Sequence, residues 1–225
     1  MRRIISATIL VIVLFIALPQ GRGTTSPTTS QQNENHALTR PAKVVGNLDD
    51  AKRLYRSGKY GKAIEIYKSL LNDPALEVSA RIGIARTYAL IGRYDEAIKT
   101  LQLCARRAEN NADWHVLISE LFNETGHYQK ALQHARRAYS LANDWAPALL
   151  RLGESLEVLG KKSQAVDIYK KLDKAIARKD FTRDARSLTA AGMVLARYAT
   201  LTGQKASMQA PNILHNYFQR AYQEV

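Results

Sequence analysis

Gly58-Lys59-Tyr60-Gly61-Lys62-Ala63 returns as Gly92-Arg93-Tyr94-Asp95-Glu96-Ala97, as Gly126-His127-Tyr128-Gln129-Lys130-Ala131 and as Gly160-Lys161-Lys162-Ser163-Gln164-Ala165. Successive glycines stand 34 residues apart, and so do successive alanines. A fixed period of this size belongs to stacked repeats, in which each unit buries its apolar face on its neighbours. The residue types fit a turn between two packed helices. A glycine just past a helix end takes the left-handed conformation at no steric cost. An alanine where two helices cross lets their backbones approach closely. A tyrosine between them covers the turn with its ring and keeps its hydroxyl in water.

Working outward, apolar residues precede each phrase at helical spacing: Ile84 and Tyr88, Ile118 and Phe122, Leu152 and Leu156. An apolar or small stripe follows it: Ala63, Tyr67, Leu70; Ala97, Leu101, Cys104; Ala131, Ala135, Ala138; Ala165, Tyr169, Leu172. From Leu48 the pattern is helical without a strand-like stretch. It predicts hairpins over about 47–73, 78–108, 112–142 and 146–180, with Pro74 and Asn/Asp-containing joints at 110–113 and 143–144 between them.

On these residues the chain resembles the tetratricopeptide repeat (TPR) family. The resemblance implies an all-α, right-handed superhelical solenoid of antiparallel helix hairpins. Its four regular repeats fall at about 47–77, 78–111, 112–145 and 146–180. The family usually places a large aromatic residue early in the first helix. Arg81, His115 and Leu149 stand there instead, and Trp114 and Trp145 are out of register. These are divergent repeats.

After Ala165 the register fails. The second helix of the fourth repeat is expected to run on through Lys174 and Ala177. A helix over about 183–202 follows, with Leu188, Ala191, Leu195 and Ala199 on one face and Gly203 ending it. A loop with Pro211 leads to a last helix over 212–224. We read 181–225 as a degenerate fifth repeat, giving a core of ten helices. Ile213, Leu214, Tyr217, Phe218 and Tyr222 make the last helix apolar enough for self-association, or for a further domain to cover it.

The first 21 residues are of another kind. Met1-Arg2-Arg3 is a basic head, and Ile4 to Leu18 is an apolar run broken only by Ser6 and Thr8. As a helix that run rises roughly 22 Å, short of the ~30 Å hydrocarbon core. It reads as a secretory signal peptide or, because Pro19-Gln20 is a poor cleavage junction, as an uncleaved anchor. Either places the remainder outside the cytoplasm, periplasmic or membrane-tethered. Residues 22–46 are rich in Thr, Ser, Gln and Asn and read as a disordered tether.

The formal charge is +13, and Arg2, Arg3 and Arg22 supply three of it. Residues 161–186 hold nine Lys/Arg against four Asp. Behind an export signal this stripe fits an anionic membrane surface or an acidic protein better than nucleic acid, since aromatics are not interleaved with the charge. Cys104 is the one cysteine, in a slot that predicts a buried apolar filler. The five histidines form no His-x-x-x-His pair, and no phosphate-binding, nucleophile-elbow or Cys-x-x-Cys motif occurs. The sequence therefore offers no catalytic residues, no cofactor site and no metal site. Asn123-Glu124-Thr125 matches a glycosylation acceptor, but inside a predicted helix.

What the resemblance leaves is a groove, since the first helices of TPR hairpins line the concave face where protein or peptide partners bind. The corresponding residues are Lys52 and Arg56; Ser79, Ile82 and Arg86; Asp113, Val116, Glu120, Asn123 and Glu124; and Leu150, Glu154 and Glu157. The groove is expected to be basic at its N-terminal end and acidic in its middle, binding an extended peptide or helix in one direction. The function expected is a non-catalytic scaffold. As an alternative, the arrangement resembles the N-terminal part of some large bacterial TPR proteins that carry a peptidase domain further on.

Overall fold

The computed structural model describes residues 46–176 and 184–203, all within one compact unit spanning Lys43–Val225. The expected leader 1–21, nearly all of the expected tether 22–46, the end at Ala177 of the run expected for the fourth repeat's second helix, and the last helix expected at 212–224 lie outside the described residues.

Ten helical segments follow in order among the described residues: α1 (Leu48–Arg56), α2 (Tyr60–Ser69), α3 (Glu77–Leu90), α4 (Tyr94–Gln102), α5 (Ala112–Glu124), α6 (Tyr128–Leu141), α7 (Ala146–Val158), α8 (Lys162–Tyr169), α9 (Lys171–Ile176) and α10 (Ala185–Thr202). Consecutive helices pack as hairpins, and α1, α3, α5, α7 and α10 also touch one another in sequence along one side. This is a solenoid of helix hairpins. One departure concerns the fourth hairpin, whose second helix is interrupted at Lys170. Its backbone stays right-handed there (φ −56°, ψ −24°), so the interruption is a slip in the hydrogen-bond ladder rather than a turn.

Each repeated phrase closes a helix in the same way. Gly58, Gly92, Gly126 and Gly160 have φ between 74° and 78°. The next residue's N–H reaches back five positions, as in His127 to the Phe122 carbonyl at 2.7 Å and Arg93 to the Tyr88 carbonyl at 2.8 Å. Ala63, Ala97, Ala131 and Ala165 are fully buried where the two helices of a hairpin meet. A side chain at Gly126 would meet nothing within 4 Å, so its replacement is penalised by conformation alone. Gly126→Ala should therefore cost about 1 kcal/mol, visible as a fall of roughly 2–4 °C in melting temperature. No change in melting temperature would contradict this account of the turn.

Side chains cap the starts of three helices, α1, α5 and α10. Asn47 Oδ1 accepts from the N–H groups of Asp49 and Asp50, and Asp50 accepts in return from the Asn47 N–H. Asn111 caps α5 through the Trp114 N–H, and Asp184 caps α10 through Arg186 and Ser187. The core forms successive clusters, each bridging one hairpin and the next. Trp114, 4% exposed, donates its indole N–H to the Leu101 carbonyl and joins the second and third hairpins. Cys104 is buried beside it, and burial pushes its thiol pKa up.

Candidate functional site: the inner face

The helices α1, α3, α5 and α7 present one side chain column after another to a common face, and the N-terminus of α10 reaches across it. Two adjoining cavities open there. The first, about 590 Å³, is lined by Lys52, Tyr55, Arg56 and Tyr67, by Ser79, Ile82 and Arg86, and by Asp113 and Arg186. The second, about 640 Å³, shares Tyr55, Arg56, Arg86 and Arg186, and adds Leu90, Tyr94, Glu120 and Glu124. A smaller one, about 370 Å³, lies between α5, α7 and α10, where Val116 and Leu150 form buried walls.

Electrostatically this face is not the simple dipole that the columns of first-helix residues imply. Asp113 sits between two guanidiniums, Arg86 at 2.5 Å and Arg186 from α10. Burial acts to raise its carboxyl pKa, but the two arginines outweigh burial and hold it below the ordinary value. Arg186 also lies over the Trp145 ring, 5.1 Å from its centroid. The Trp145 N–H donates to Ser187 Oγ at 3.1 Å, which in turn donates to Asp184. Arg186 thus leaves the basic 161–186 stripe and joins the groove.

Further along, Glu154 is only 7% exposed and meets Arg151 at 2.8 Å and Arg197 of α10 at 2.9 Å. Burial raises its pKa in spite of both arginines. Glu157 accepts from the Tyr169 hydroxyl at 2.5 Å and pairs with Arg197 at 3.3 Å. So Asp113, Glu154 and Glu157 are counter-ions of this chain's own arginines. The sequence reading expected these acids to make the middle of the groove acidic; Arg86 and Arg151 of the regular repeats, and Arg186 and Arg197 of a helix outside them, pair with all three. Glu120 keeps only a long 3.9 Å contact to Arg151, and Glu124 is exposed on the second cavity. Asn123 of α5 is half-buried and donates to Ser155 Oγ of α7 at 3.2 Å.

Sequence reasoning missed a histidine pair. His115 of α5 and His134 of α6 face each other, Nδ1 to Nδ1 at 3.0 Å, and His115 Nε2 contacts the Glu109 carbonyl at 3.0 Å. A carbonyl only accepts, so His115 carries its hydrogen on Nε2 and receives one from His134 Nδ1. Trp114 stands edge-on to both rings and Phe122 stacks on His134. Comparing equivalent positions of the repeats would have found the pair, because His115 and His134 stand where the fourth repeat has Leu149 and Ile168. Among the described residues no group of three His, Cys, Asp or Glu is arranged to hold a metal ion.

Tetratricopeptide repeat models match residues 54–121 and 147–175. Both stretches are tetratricopeptide repeats. Solved structures share the fold at low identity. A MamA protein is 20% identical over 78% of this chain and 88% of its own, with a TM-score of 0.51. TTC0263, a thermophilic TPR protein of Thermus thermophilus, is 20% identical over 76% of this chain and 97% of its own, with a TM-score of 0.52. YrrB, described as a TPR protein with an unusual peptide-binding site, is 17% identical over 74% and 89%, at 0.50. At such identities the likeness shows the fold alone. A search of the curated proteins found no match. Among the described residues no helix is long and apolar enough to cross a membrane.

Proposed function

We propose that the chain is a non-catalytic scaffold that holds a segment of a partner protein on the inner face of its TPR solenoid. The observation that carries this reading is the pair of adjoining cavities along α1, α3 and α5. They stay open although α10 crosses the same face. Their lining mixes exposed charge with apolar side chains, as a peptide-binding groove requires. The peptide-binding site ascribed to YrrB agrees with it. The basic head and apolar run of residues 1–18 support work outside the cytoplasm, as a periplasmic or tethered protein.

Site-specific photocrosslinking in the source cell tests the reading. A benzoylphenylalanine in place of Ser79, on the inner face, should capture one protein. The same probe in place of Arg136, exposed on α6, should not. Equal capture by both would reject the groove as the contact.

A further inference from the structure

We propose that the α1 end of the inner face binds the carboxylate side chains of an acidic peptide. This rests on the groove reading above and adds the chemistry of the partner.

Four cations line the first cavity, Lys52, Arg56, Arg86 and Arg186, against two acids, Asp113 and Asp184. Both acids are committed. Asp113 serves Arg86 and Arg186 together. Asp184 caps α10, accepting from the N–H groups of Arg186 and Ser187 and from Ser187 Oγ at 2.6 Å. Two cations then remain for a ligand. Lys52 holds only the exposed Asp49 at 3.2 Å, a type of pair worth about 0–1 kcal/mol that a better partner displaces. Arg56 is exposed, and among the described residues it has no carboxylate partner; its Nε leans on the Lys52 carbonyl at 3.4 Å. A guanidinium so placed presents its fork to an incoming carboxylate, the strongest neutral-pH contact a peptide can make with it. Tyr55, half-buried at the cavity wall, supplies ring surface for the methylenes that carry such a carboxylate.

The neighbouring cavity selects the class of anion. Glu120 and Glu124 stand on it beside Leu90, which is 54% exposed, and Tyr94. A polyanion such as nucleic acid, running along the face, would meet those carboxylates. A flat anionic membrane does not enter a recess between helices. A peptide with acidic residues at one end and an apolar residue beyond them satisfies both cavities. It also sets the direction, acids toward Lys52 and Arg56 of α1 and the apolar residue toward Leu90 at the end of α3 and Tyr94 at the start of α4.

Selection of a phage-displayed random dodecapeptide library on the full chain at low salt tests this. The expected result is enrichment of Asp and Glu. The selected peptide, made synthetically, should bind at least roughly tenfold more weakly to Lys52→Glu/Arg56→Glu. Lys68→Glu, exposed on α2, should leave binding unchanged. All four side chains changed are exposed or have no buried partner, and unaltered melting curves confirm that the variants fold. Basic or uncharged peptides that still lose affinity on Leu90→Arg would overturn the acidic preference and leave the groove reading standing. Peptides indifferent to both sets of groove substitutions, or no selected peptide at all, would overturn both.

Discussion

Gly153→Ala should lower the stability of the helical-hairpin solenoid by about 2 kcal/mol, although alanine is the better helix former. A Cβ built at Gly153 lies 2.0 Å from Tyr169 Cε1 and 2.3 Å from Cζ. The ring cannot step aside cheaply, because Tyr169 is 2% exposed and its hydroxyl is held by Glu157. Overpacking costs about 1–3 kcal/mol, and an overlap this close with a held ring stands at the upper end, about 3, while removing a helical glycine returns about 1 kcal/mol. The net loss corresponds to a melting temperature lower by roughly 4–8 °C. The second repeat shows the alternative solution, with Ala85 and Leu101 at the two equivalent positions, both fully buried. Gly153→Ala combined with Tyr169→Leu should therefore destabilise less than the two single changes added together. Thermal melts of the four proteins form the double-mutant cycle. Additive effects would show that ring and glycine are not coupled. The same device recurs once across a hairpin boundary, where a Cβ at Gly83 would come 2.3 Å from Cζ of Tyr67 in the preceding repeat.

Such pairs mark the limit of what the chain declares about itself. The period, the hairpins and their turns were legible because each depends on residues close in sequence. A glycine that must take positive φ and an alanine that must lie at a crossing announce themselves at every recurrence. The helix ending at Gly203 was legible for the same reason, and there φ is 68°. What was not legible depends on non-local pairing. Arg186 reaches Asp113 across 73 positions, and Arg197 reaches Glu157 across 40, from a helix that lies outside the regular period. Column position brought Lys52, Arg56, Ser79, Ile82, Arg86 and Asp113 to one cavity, but it carried no information on which charges are already paired. Trp145, out of register as a repeat aromatic, serves as the platform under Arg186.

The histidine pair makes the third hairpin sensitive to mild acid, and the sign follows from which state takes up the proton. An unfolded histidine titrates near 6.5, whereas burial, with a smaller contribution from His115, lowers His134 to about 4. Burial lowers His115 as well, against the pull of the Glu109 carbonyl. Between those values the unfolded chain binds a proton that the folded chain refuses. Stability is therefore full above about pH 6.5 and lost as the pH falls toward 4. At pH 5 the loss for His134 alone is about 2 kcal/mol, a melting temperature lower by roughly 4–8 °C. The surroundings do little to soften it: Trp114 and Phe122 face the rings, and of the charges near His115, Glu109 favours a proton while Arg137 opposes it. Glu154 acts in the opposite sense, since its raised carboxyl pKa makes the folded state accept a proton more readily as pH falls. His115→Leu with His134→Ile copies the Leu149 and Ile168 of the fourth repeat, an apolar pair already compatible with this fold. Melting curves at pH 7.5 and 5.0 should show a drop for the natural chain that the double variant largely lacks. Equal drops in both would place the acid sensitivity elsewhere, and the buried imidazoles would then be packing residues only.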